Sequence, residues 1–189
     1  LIDTYIRAEE SEKISAFDDM SLIQMIVERG LDALNQLPKG IRENKEAVAE
    51  TIENNLRKVI IDESPINPKY YEKMSELLDS LIKQRREVAL DYEKYLAELM
   101  ALAVQVHKPG GVDYPQSLNT GAKRALYDNL GKDEDLALAV DYAVLSCKKD
   151  GWRGHKVKEK EVRYAVKRVL NEEPLAGDIF ELVKNQSDY

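Results

Sequence analysis

The densest charged chemistry in this chain lies between Lys148 and Arg168. Nine Lys/Arg against three acids give this stretch +6, inside a chain whose formal net charge is −7, so the other residues total −13 (−7 minus +6). A local reversal of that size suits a polyanion, and nucleic-acid phosphate fits best. At about 100° per residue, Lys156, Lys160, Arg163 and Lys167 fall within roughly 60° of one another, as one charged stripe on a helix. Lys148, Lys149 and Arg153 stand just before them in a polar loop around Trp152. These seven cations are the expected DNA-binding residues. A face that is merely solvated is the competing reading. Val162, Ala165, Val166 and Val169 fall on another face and would anchor the helix to a core. Trp152 is expected as a hydrophobic plug, with base stacking or partner contact as the alternative.

Other chemistry finds no support in the residues. A phosphate-binding loop needs G-x-x-x-x-G-K-[ST], whereas Gly131-Lys132 is followed by Asp133 and no glycine stands five residues before Gly131. Zinc needs three or four Cys/His ligands at close spacing, and only Cys147, His107 and His155 are present. No serine or cysteine sits in a nucleophile-elbow setting. Glu159-Lys160-Glu161 falls in a helical pattern, not on the strands where a nuclease carboxylate cluster belongs. No catalytic residue, no metal site and no cofactor is expected in this segment.

The elements that must position the stripe are helical. Ser21-Leu22-Ile23-Gln24 fits a capping box with Met20 and Met25 as a hydrophobic staple, opening a helix to about Asn35. A second helix spans about Glu43 to Ile61, with Val48, Ile52, Leu56 and Val59 at helical spacing. From Lys69, Tyr71, Met74, Leu78, Leu81, Val88, Tyr92, Tyr95, Leu99, Leu102 and Val106 keep a 3–4 spacing interrupted only by Arg85. That pattern predicts one helix of about 38 residues, roughly 57 Å long, ended by Pro109-Gly110-Gly111. Asn119 or Thr120 caps the next helix and Gly131 closes it. Asp133 starts another with Leu136, Val140, Ala143, Val144 and Cys147 inward. The basic helix follows, and after Pro174 a last helix packs Ile179, Leu182 and Val183. The expected fold is all-α, a single domain of about seven helices around one long central helix. Residues 1–16 are read as a connector from the preceding part of a longer subunit, and 17–189 as the helical domain.

The run from Asn54 to Glu63 joins amides to Arg57, Lys58, Asp62 and Glu63, then passes two prolines into Tyr70-Tyr71. Tyrosine and arginine supply most hot-spot energy, so Arg57, Tyr70 and Tyr71 are expected at a protein interface. The alternative is that Arg57 and its amide neighbours tie this helix to the long one. A coiled-coil partner for the long helix is less expected than a bundle core.

With 43% hydrophobic and 33% charged residues, the chain has the composition of a folded, helix-rich domain. No 18-residue apolar run exists, so no membrane partner is expected. A lone cysteine suits a reducing, cytoplasmic setting. The Leu1-Ile2-Asp3-Thr4 start has neither an initiator Met nor a signal-peptide pattern, as expected of a segment cut from a longer protein.

Five strings resemble one family. They are IENNLRKVIIDE at Ile52–Glu63, NPKYYEKMS at Asn67–Ser75 continuing to Leu77-Leu78, and RALYDNL at Arg124–Leu130. Then come Trp152-Arg153-Gly154 with Lys158-Glu159 and Val162-Arg163, and FELVKNQ at Phe180–Gln186. In this order, over about residues 15–189, they resemble the C-terminal helical domain of the R (motor and endonuclease) subunit of type I restriction-modification enzymes. The resemblance implies a non-catalytic domain of an ATP-dependent, DNA-translocating deoxyribonuclease. Its implied partners are DNA, the methyltransferase (M) and specificity (S) subunits, and the nuclease and motor domains of its own chain. ATP and Mg would bind elsewhere in that subunit, and none of the family's catalytic residues has a counterpart here. A purely structural helical module without DNA contact is the alternative.

Overall fold

The computed structural model describes residues 21–87, 91–108 and 114–189. The expected connector, Met20, Val88 and the Pro109-Gly110-Gly111 stop lie outside them. Ser21 opens α1 (Leu22–Arg29) with a complete capping box: its Oγ accepts from Gln24 N, and Gln24 Oε1 accepts from Ser21 N. The helix stops earlier than expected because Gly30 takes φ +60°, and the chain continues as a 3-10 helix over Gly30–Gln36. A short α2 (Lys39–Arg42) leads to α3 (Lys45–Glu63), whose N-cap Asn44 accepts from Glu46 N and Ala47 N.

The long central helix is two helices. α4 runs Pro68–Glu87 and α5 runs Tyr92–His107. Asp91 begins α5 by accepting from Glu93 N, a fresh N-cap inside an unbroken apolar spacing. The two helices pack side by side and antiparallel. Tyr70 at the start of α4 donates its hydroxyl to Gln105 O near the end of α5 at 2.8 Å, and Tyr71 to Val106 O at 3.4 Å. Folding back lets both apolar stripes share one core with α1 and α3, which a 57 Å rod could not bury in a chain of this size. That core holds Ile23, Ile52, Leu56, Leu78, Tyr95 and Leu99. Arg85, the one break in the spacing, enters it: Nη1 lies 3.0 Å from Glu53 Oε1, paired in charge though not aligned as a hydrogen bond.

The second half builds its own core from α6 (Gly121–Asn129), α7 (Glu134–Cys147), α8 (Lys156–Leu170) and α9 (Glu173–Lys184). Thr120 caps α6. Gly131 at φ +69° closes it, with Lys132 N reaching back to Tyr127 O as in a Schellman turn. Asp133 caps α7. The inner face of α7 is turned slightly from the expected one, because Ala137 and Asp141 are buried with Val140 and Val144. Asp141 tolerates burial because Tyr189 Oη donates to it at 2.7 Å. Among the described residues every regular element is a helix, and the helices form a single domain. No helix among them is long and apolar enough to cross a membrane.

The two cores meet where α4 packs on α6 and where the last residues fold back on the α3–α4 turn. The joint is rich in amide bonds. Asn67 donates to Asp128, Asn129 donates to Asn67, and Gln186 and Asn185 donate to the carbonyls of Ile66 and Pro65.

Candidate nucleic-acid interface

The second core holds α8 by one side. Val162, Ala165 and Val166 bury one side of it between α7 and α9. At the N-terminus His155 occupies the cap position, and Glu159 accepts from Gly154 N at 2.8 Å. At the C-terminus Asn171 adopts the left-handed conformation, φ +53°, that stops the helix. The opposite side carries Lys156, Lys160, Arg163 and Lys167, all facing solvent. With Glu159 and Tyr164 of α8 and Glu173 and Phe180 of α9 they line an open groove of about 450 Å³.

The groove's electrostatics are mixed but predominantly positive. Arg163 lies over the Phe180 ring with its guanidinium carbon 5.3 Å from the centroid, and Lys184 approaches the same ring at 5.6 Å. Lys160 sits 5.6 Å from the centre of the Tyr164 ring. Lys167 pairs with Glu173, and Lys184 with Glu159 at 3.7 Å. Lys156 has no ion-pair or hydrogen-bond partner among the described residues.

The other three expected cations are directed elsewhere. Arg153 donates from Nε to Lys184 O at 2.8 Å and from Nη2 to Gln186 O. Its guanidinium also stacks on Trp152, 4.8 Å from the ring centroid. Lys148 donates to Asp188 O at 3.3 Å, and Lys149 pairs with Glu161 at 2.9 Å. With Ser187, Asp188 and Tyr189 they line a separate cleft. The structure places the seven expected cations in two groups, four along the α8–α9 groove and three as a clamp around the last residues. Two of the five guanidinium N–H donors of Arg153 are held by carbonyls, which ties the side chain to the last residues rather than to the stripe. Trp152 is buried against Phe180 within the second core, as a plug should be.

The expected protein-interface residues need a similar correction. Tyr70 is 7% exposed and Tyr71 4%, both bonded to α5, so neither is presented to a partner. Burial, followed by the negative charges of Asp128 and Glu63 respectively, raises their hydroxyl pKa values. Arg57 binds Asp79 on α4 at 2.7 Å and ties α3 to α4 across a partly exposed contact. Among the described residues the exposed tyrosines are Tyr142 at 74% and Tyr164 at 53%. Tyr164 was within reach of sequence reasoning, since at 100° per residue it falls beside the stripe. Phe180 was not, because only the α8–α9 packing brings it there. Among the described residues no group of three or more His, Cys, Asp or Glu is arranged to hold a metal ion.

Comparison with known proteins finds no matching family model, no matching curated protein and no matching solved structure.

Proposed function

We propose that this domain makes a sequence-independent contact with DNA phosphates through the α8–α9 groove, and that it serves as a non-catalytic part of a larger DNA-processing enzyme. The observation that carries the contact is the alignment of Lys156, Lys160, Arg163 and Lys167 along one open groove, on a helix whose other side is locked into a core. Lysine and arginine in file along a rigid element match the spacing of backbone phosphate and carry no base information. The larger enzyme we propose is a type I restriction R subunit. The ordered strings from Ile52 to Gln186 support that reading, and assembly with the methyltransferase core rests on them alone. A structural module without DNA contact is the second reading, favoured by Glu173, which already neutralises Lys167.

Fluorescence anisotropy with DNA across a salt series separates the two. Each phosphate contact contributes about 0.9 to the slope of log K against log salt. Changing Lys156, Lys160, Arg163 and Lys167 together to Gln should flatten that slope by about 3.6 units and weaken all sequences alike. Melting should change little, since the four side chains face solvent. An unchanged slope leaves the structural module as the better account. For assembly, the parent subunit should lose co-purification with the methyltransferase core when these residues are deleted.

A further inference from the structure

The groove is asymmetric in a way that phosphate contact alone does not require. Viewed along α8, the cations stand next to α9, where Arg163 meets Phe180 and Lys167 meets Glu173. On their outer side lie Val157 and Tyr164, 63% and 53% exposed, seven residues apart and therefore on nearly the same face. A file of positive charge thus runs beside two exposed apolar side chains. The cations extend over roughly 16 Å of helix axis at 1.5 Å per residue, enough for only a few successive phosphates.

Phe180 cannot be a stacking platform, because it is 4% exposed with Arg163 and Lys184 over its ring. Tyr164 can. Its ring meets one cation, Lys160, and half of its surface is open within the same groove. Duplex DNA keeps its bases paired and stacked inside, so an apolar strip beside the phosphate file would gain nothing from it. A single strand turns its bases away from the phosphates and stacks them on exposed aromatic rings, at a gain that tolerates any base.

We infer that the α8–α9 groove takes a single nucleic-acid strand, its phosphates on the Lys156–Lys160–Arg163–Lys167 file and a base stacked on Tyr164. The inference rests on the phosphate contact proposed above and adds the strand state of the ligand. The cations set the salt dependence, and Tyr164 sets the preference for unpaired bases. These two properties reside in different side chains, so they can be tested apart.

The test uses the protein with a labelled oligothymidylate and a labelled duplex of equal length, at one salt concentration and across a salt series. The wild type should bind the oligothymidylate several-fold more tightly than the duplex. Tyr164→Leu should weaken single-strand binding about thirtyfold, the middle of the range for one stacked base, and leave duplex binding and the salt slope unchanged. Tyr164→Phe should retain single-strand affinity, which a role for the hydroxyl would not allow. Equal affinity for both ligands, or an unaffected Tyr164→Leu, overturns the single-strand inference while the phosphate contact stands. Loss of salt dependence in the wild type overturns both. Because Tyr164 is half exposed, circular dichroism should report an unchanged fold in both variants.

Discussion

The loop from Lys148 to His155 and the helix that begins at Lys156 are neighbours in sequence with similar cation content, yet the fold uses them in opposite ways. In the loop, Arg153 and Lys148 donate to main-chain carbonyls of Lys184, Gln186 and Asp188, and Trp152 inserts beneath them. On the helix, three of four stripe cations rest on a ring or an exposed acid, and Lys156 on nothing described. Arg153 is held at two carbonyls at once, the one of Gln186 part-buried, whereas exposed ion pairs exchange readily with solvent and ions. Local charge density therefore says where a polyanion could bind. It does not say which cations remain available to it.

Removal of Trp152 should break the comparison most severely. Trp152→Ala deletes a buried aromatic plug and should cost roughly 3–5 kcal/mol, lowering the melting temperature by several degrees. Trp152→Phe should be milder, since Trp152 Nε1 is buried with no hydrogen-bond partner among the described residues. A fully stable Trp152→Ala protein with impaired DNA binding would move the loop into the binding surface.

Arg153 is the sharper probe. Arg153→Gln removes two charge-assisted bonds to carbonyls and should destabilise by about 2 kcal/mol. Its salt slope for DNA should match the wild type, unlike that of the stripe variant. A slope reduced by about one unit would return Arg153 to the phosphate surface.

The smallest effect concerns what the clamp protects. Burial, then donation to Asp141 and the charge of that carboxylate, raise the Tyr189 hydroxyl well above the ordinary tyrosine range. A group raised in the folded state stabilises fully below its unfolded value, about pH 10, and loses that contribution as pH rises toward the folded one. Tyr189→Phe should cost about 1 kcal/mol near neutral pH and make the decline above about pH 10 shallower. Tyr95 and Tyr114, raised by burial and by donating to Glu53 and Asp128, and Tyr70 and Tyr71, raised first by burial, should supply further slope. Denaturant titrations at several alkaline pH values measure it, and parallel curves for variant and wild type would remove Tyr189 from the account.

Much of the architecture was legible because its signals are local. Ser21, Thr120, Asp133 and Gly131 act on residues three or four away, and each marks the boundary expected of it. Asp91 has the same chemistry but stands within a 3–4 spacing that runs on past it, so the break between α4 and α5 was hidden. The candidate site divides in the same way. The stripe follows from helical period alone. The capture of Arg153, and of Tyr70 and Tyr71, depends on carbonyls 31 to 35 residues away, and no window along the chain contains both partners. Phe180 reaches Arg163 only through the α8–α9 packing, and Glu173 reaches Lys167 only across the turn between those helices.

The joint between the two cores has a kinetic consequence. Within each core many helix contacts join near neighbours in the chain, whereas the bonds from Asn185 and Gln186 to Pro65 and Ile66 bridge 120 residues. Closing a longer loop costs more chain entropy, though the cost grows only slowly with length. It must also be met before contacts across the loop can reward it. The amides at the joint are therefore expected to form late in folding, after the contacts within each core. Interactions that form after the transition state mainly set how fast a protein unfolds. Asn67, Asn185 and Gln186 thus act less as architects of the fold than as its latch.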